Sequence, residues 1–191
     1  AIEVTPARVS ALVSPPLAIS QLDQPVWLDP ADYQVIDPYQ GQADLAAGVL
    51  RSVGEPAARF EEDALRMLRA IRFSVQLNFR MTDETFTAIA GLADQVQYVS
   101  WERIRDEVLK MLRSPFPAEA IELLDDTGLL HYILPELREG KGIEQGGHHT
   151  TDVWTHSLDA LAACPSTDPI VRFATLLHDI AKPRTLRYVD G

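Results

Sequence analysis

Cysteine is nearly absent: Cys164 is the only one in 191 residues. No intrachain disulfide can form within such a chain, and the composition suits a reducing compartment, so a cytoplasmic location is expected. No apolar run reaches the roughly 18 residues that read as a membrane-spanning helix, so no membrane partner is expected. No secretory signal is visible. Aromatic residues make up 7% of the chain. They are scattered and mostly at helix-core spacing, which argues against a base-stacking platform. Positive charge is scarce, with 17 Lys and Arg against 28 Asp and Glu and a net charge of −11. That balance argues against a general attraction to phosphate backbones.

What is present describes a folded, helical chain. Hydrophobic residues at 46% are enough for a core. The acidic excess is also unevenly placed. Residues 51–113 hold ten basic and ten acidic residues, and the remaining seven basic and eighteen acidic residues account for the whole −11. The neutral segment contains Arg59-Phe-Glu-Glu-Asp-Ala-Leu-Arg-Met-Leu-Arg-Ala-Ile-Arg-Phe73. A helix here, over about 61–77, turns about 100° per residue. It would place Glu62, Arg66, Arg69 and Phe73 on one face, with Asp63 on its flank. Ala64, Leu65, Leu68, Ile71 and Val75 would face the core. A carboxylate accepts and a guanidinium donates in a plane, so such a pair can imitate the edge of a base. The plainer reading of Glu62 and Arg66 is an i,i+4 surface ion pair worth a few tenths of a kcal/mol.

Further helices are expected from capping and breaking residues. Thr82 or Asp83 caps one running to about Val96, and Ser100 caps one over about 101–113, which Pro115 and Pro117 break. Another covers about 118–127 and stops before Gly128, with Asp125-Asp126 as a solvated last turn. Glu139 to Gly147 reads as a flexible linker. Helices over about 152–163 and 168–181 follow, the second capped by Asp168. Prolines at 15, 16, 25 and 30 argue against helix in the lead segment.

Several ordered motifs carry a resemblance. Asp37-Pro-Tyr-Gln-Gly41 through Gly54-Glu-Pro56, then Arg59 to Phe73, then Ser100-Trp-Glu102-Arg103-Ile-Arg-Asp-Glu107-Val-Leu-Lys110, then Gly128-Leu-Leu-His-Tyr-Ile-Leu-Pro135-Glu136, resemble the bacterial tRNA nucleotidyltransferases. These are the CCA-adding enzymes and their poly(A) polymerase relatives. The resemblance implies that Asp63 and Arg66 hydrogen-bond the incoming cytosine or adenine. It implies that Arg69 and Arg72 contact the rest of the nucleotide, and that Glu62 holds the guanidinium. Arg72 lies nearer the apolar edge, where a structural ion pair competes with ligand contact. His148-His149-Thr-Thr-Asp152-Val-Trp-Thr-His156 and Leu176-Leu177-His178-Asp179-Ile-Ala-Lys182-Pro183 resemble the start of an HD-type metal domain. That implies a divalent metal on His156, His178 and Asp179, an incomplete set because HD domains add a later ligand. Asp190 is a poor candidate for it.

The family's catalytic head holds Mg2+ on paired carboxylates and carries a Gly-Ser followed by an Asp-x-Asp, and neither motif occurs here. The chain opens at Ala1-Ile-Glu-Val like a strand already under way. The expectation is therefore a mostly α fragment: a multi-helix neck and body array, then a truncated helical HD-type domain, after a short β or irregular remnant of the head. Residues 1–50 would be the end of the head with a Pro-rich insertion. Residues 51–138 would form the nucleotide- and tRNA-binding body, 139–147 the linker and 148–191 the HD part. The implied parent adds CMP and AMP to tRNA 3′ ends from CTP and ATP, while this chain alone is inactive. The alternatives are a poly(A) polymerase, an A- or CC-specific relative, or a headless RNA- or nucleotide-binding module with a vestigial HD phosphohydrolase domain.

Overall fold

The computed structural model describes residues 37–143 and 151–185. The expectations for the lead segment, for His148 and His149, and for Asp190 lie outside these residues. Two compact units divide after Asp44. In the first, the Asp37 carboxylate accepts from the Gly41 N–H at 2.7 Å and the Gln42 N–H at 2.8 Å. These bonds satisfy free donors at the start of α1 (Gly41–Ala47).

The second unit is an array of short helices with a two-stranded parallel ribbon. Strand β1 (Val49–Leu50) pairs with β2 (Arg80–Met81), Val49 opposite Arg80 and Leu50 opposite Met81. Between them run α2 (Pro56–Glu62) and α3 (Leu65–Leu77). Asn78 ends α3 in the left-handed conformation (φ 54°), its N–H returning to the Ser74 carbonyl. Thr82 caps α4 (Asp83–Gly91) by accepting from the Thr85 N–H. The expected helix to Val96 instead stops at Gly91, and a 3-10 turn over Ala93–Tyr98 finishes the segment.

Helix α5 (Trp101–Leu112) and helix α6 (Pro117–Asp126) pack on α3. Together they bury Leu65, Leu68, Ile71 and Val75, as the helical spacing predicts. They also bury Met67 completely, because α3 is covered over more of its circumference than one face. Gly128 follows α6 with φ +79°, a conformation that favours glycine. Asp125 is not in a solvated turn. Its side chain is 7% exposed and pairs with Arg138 at 2.6 Å and with Lys141. Burial of that carboxylate is tolerable because two cations meet it.

The short helices α7 (Leu130–Ile133) and α8 (Pro135–Arg138) lead to residues 139–143. The Gly140 carbonyl accepts from the Trp154 N–H and the Ile143 carbonyl from the Val153 N–H. A side chain at Gly140 would meet the Trp154 nitrogen at 3.0 Å, which explains glycine there. Helices α9 (Val153–Ala163) and α10 (Pro169–Leu177) start at Asp152 and Asp168, whose carboxylates accept from the Thr155 and Ile170 N–H groups. They pack on each other, α9 against α6 and α10 against α5. Helix α10 stops at Leu177 rather than continuing to 181, so His178 and Asp179 sit in a turn before α11 (Lys182–Thr185).

Candidate functional site

The expected continuous helix over 61–77 is broken at Asp63, and the break shapes the site. Pro at the first position starts α2 without losing a hydrogen bond. Asp63 is extended (φ −155°, ψ 104°), and α3 begins after it. Aspartate competes for local backbone donors, which favours such an end. Here its Oδ1 accepts from the Leu65 N–H at 3.1 Å. Its Oδ2 accepts from Arg103 on α5 at 2.9 Å. Partial burial pushes the Asp63 carboxyl up, but the bonds from Arg103 and the Leu65 N–H, with the Arg103 and Arg66 charges, outweigh it. The net result lies below the usual carboxylate range.

Glu62 lies between two guanidiniums, 2.6 Å from Arg59 and 2.6 Å from Arg66. Arg66 also donates to the Arg59 carbonyl at 3.1 Å. Arg69 is exposed one turn further along α3. Arg72 turns inward and stands apart from this group. Its Nε donates to Glu107 at 2.6 Å and its Nη1 to Gln76 at 2.7 Å, and it lies 4.0 Å from the centre of the Phe73 ring. A shallow cavity of about 210 Å³ opens beside the break, lined by Phe60, Glu62, Asp63, Gln95, Tyr98 and Arg103. Tyr98 is 83% exposed at this cavity. Arg66 and Arg69 do not line it.

The second cluster joins residues 22 positions apart. His156 on α9 brings its Nε2 to 3.2 Å from the Nε2 of His178 and 3.6 Å from Asp179 Oδ2. His178 Nε2 is 3.1 Å from the same oxygen. One ligand atom from each residue lies within 4.8 Å of the others. The His178 Nδ1 lies 2.7 Å from the Thr175 carbonyl, which can only accept. Nδ1 therefore carries a proton, and in the neutral ring Nε2 keeps its lone pair, the form that ligates metal. The Lys182 ammonium sits 2.6 Å from Asp179 Oδ2. A cation entering the cluster would compete with it.

Comparison with known proteins shows the family. A family described as "Probable RNA and SrmB- binding site of polymerase A" matches residues 78–140. The A-adding tRNA nucleotidyltransferase of Deinococcus radiodurans is 44% identical over 161 residues, 80% of this chain and 37% of that protein. A CCA-adding enzyme of Geobacillus sp. (strain WCH70) is 47% identical over 109 residues, 57% of this chain and 27% of that protein. The chain belongs to the bacterial CCA-adding enzyme and poly(A) polymerase family. A crystal structure of a Bacillus stearothermophilus CCA-adding enzyme in complex with CTP shares the architecture. Its TM-score is 0.59 at 31% identity, covering 78% of this chain and 35% of that one. The chain thus spans well under half the length of these family members.

Three contributors to the site had no signal of their own in the sequence. Arg103 and Glu107 lie within the motif of residues 100–112, but their partners Asp63 and Arg72 are 40 and 35 residues away. Nothing in linear spacing connects them. Tyr98 reads as one scattered aromatic, and only the 3-10 turn puts it at the cavity.

Proposed function

We propose that this chain supplies the base-selecting and tRNA-binding portion of a tRNA nucleotidyltransferase that adds CMP and AMP to tRNA 3′ ends from CTP and ATP. The observation that carries the reading is the break at Asp63. It sets a carboxylate and the Arg66 guanidinium at the exposed start of α3, with Glu62 bracing Arg66. Cytosine and adenine both present an exocyclic amine, whereas uracil and guanine present a carbonyl oxygen at that position. A carboxylate can only accept, so it favours the first pair and repels the second. Arg66 completes the edge as a donor, Arg69 meets the nucleotide's charge, and Arg72 acts through its neighbours on α3. Selection of this kind needs no nucleic-acid template. The near-neutral segment 51–113 suits one nucleotide and a tRNA end better than a long phosphate tract.

The chemistry itself, two Mg2+ ions on paired carboxylates, belongs to a head whose motifs these residues lack, so the chain alone does not polymerise. A tRNA substrate and a single cysteine fit a cytoplasmic parent. A second reading attaches to His156, His178 and Asp179, which would hold a divalent metal in an HD-type module; imidazole and carboxylate suit such an ion.

Arg66→Ala in the intact full-length protein tests the main reading. CTP and ATP use should fall or lose its selectivity by about tenfold or more, with folding retained, because the side chain is about 40% exposed. Unchanged discrimination against UTP and GTP removes Arg66 from this role.

A further inference from the structure

We propose that Tyr98 is the stacking wall of a subsite for one unpaired nucleobase, set in the cavity beside the Asp63 break. This rests on the nucleotide- and tRNA-binding role given to the chain above. A lone exposed aromatic is ordinary on a protein surface. Tyr98 differs because it lines a cavity of about 210 Å³ and is still 83% exposed there. Most of its ring surface is therefore open to a ligand. The cavity also has an apolar side, where Phe60 and Val99 are both buried. Its polar groups suit the edge of a base. The Asp63 carboxylate accepts, and the Gln95 amide can donate and accept.

The same lining disfavours a phosphate. Among the described residues at the cavity Arg103 is the one cation, and it is already bonded to Asp63. Glu61, Glu62 and Asp63 would repel a phosphate placed between them. The occupant is therefore a neutral ring, with its phosphates left outside. Stacking on the phenol ring rewards any base, and the carboxylate favours one with an exocyclic amine. The wall is also firmly held. Its 3-10 turn, Ala93–Tyr98, buries Ala93 and Val96 and packs on α7. The Val99 N–H then returns to the Val96 carbonyl at 3.1 Å. Tyrosine fixes only two torsions when it stacks, so little entropy is lost. Such a base comes from one of two sources, the incoming nucleotide or the unpaired 3′ end of tRNA.

The test measures Kd for CTP, and for tRNA lacking its terminal adenosine, on the intact full-length protein by titration calorimetry. Transfer of CMP and AMP is assayed alongside. Tyr98→Ala should weaken at least one of the two ligands about tenfold, the scale of one base–aromatic stack. Tyr98→Phe should bind like wild type, and Tyr98→Leu should bind as weakly as Tyr98→Ala. A loss for CTP alone assigns the wall to the incoming base, and a loss for tRNA alone assigns it to the 3′ end. Unchanged Kd for both ligands in Tyr98→Ala, or full binding in Tyr98→Leu, overturns the stacking role. A fall in Tm in Tyr98→Ala that Tyr98→Leu repairs overturns it too, because Tyr98 would then pack against the rest of the parent. Wild-type protein that transfers neither CMP nor AMP overturns the underlying function, while the binding constants still judge Tyr98.

Discussion

Glu107 is a carboxylate at only 5% exposure, held between Arg72 and Lys110 at 2.6 and 2.9 Å. Burial pushes its carboxyl up, but the bonds and charges of Lys110 and Arg72 bring it below the usual range. A folded-state value below the unfolded one stabilises the protein above the ordinary glutamate range, about pH 4.3, and that stabilisation is lost as pH falls through the folded value. Urea denaturation should therefore show a steeper acid-side loss in the wild type than in Glu107→Gln. Glu107→Ala leaves Arg72 without its carboxylate in a mostly buried position, with an expected cost of about 3 kcal/mol or more at neutral pH. An equal acid slope in the two proteins would remove Glu107 from the acid response. Linear sequence marks Arg72 as ambiguous between ligand contact and structural pairing. Its charged partner, Glu107, comes from α5, which no local pattern reveals.

At the scale of elements, the apolar spacing of α3 is legible and its beginning is not. Leu68 is fully buried, and Leu68→Ala should cost about 2–5 kcal/mol in thermal or chemical unfolding. Leu77, at 51% exposed, should cost under about 0.5 kcal/mol when changed to alanine. Reversal of that order would mean that the helix is in a different phase. The break at Asp63 escapes periodicity because residues on both sides keep an i,i+4 relation. Glu62 still reaches Arg66 across it. What decides the break is a carboxylate that finds better partners in the Leu65 N–H and Arg103 than in solvent. The early ends of α4 and α10 have the same character, since sequence signals start a helix more sharply than they stop one.

At the scale of the second unit, α9 and α10 lie on α6 and α5, and Arg172 is buried where it meets the carbonyls at the end of α5. That packing presents His156 to the turn bearing His178 and Asp179. If the three hold a divalent metal, Mn2+ at about a hundred times its Kd should stabilise the intact protein by about 2.7 kcal/mol. His178→Ala should abolish the gain. Calorimetry showing no Mn2+-dependent shift in wild-type Tm would remove the metal reading. The Lys182 ammonium on Asp179 predicts weak affinity, because the incoming cation must displace it.

The sequence by itself determined the helical class, the capped starts at Thr82 or Asp83 and at Asp168, the buried stripe of α3 and the family to which the chain belongs. These depend on neighbours within one or two turns, or on ordered motifs, and both are written along the chain. Only the tertiary structure decided which polar side chains meet. Asp63 with Arg103, Arg72 with Glu107, Asp125 with Arg138 and His156 with His178 are pairs set by helices packing across 13 to 40 positions. A charged side chain takes the partner that burial leaves within reach, and burial is a property of the packed unit rather than of any one segment.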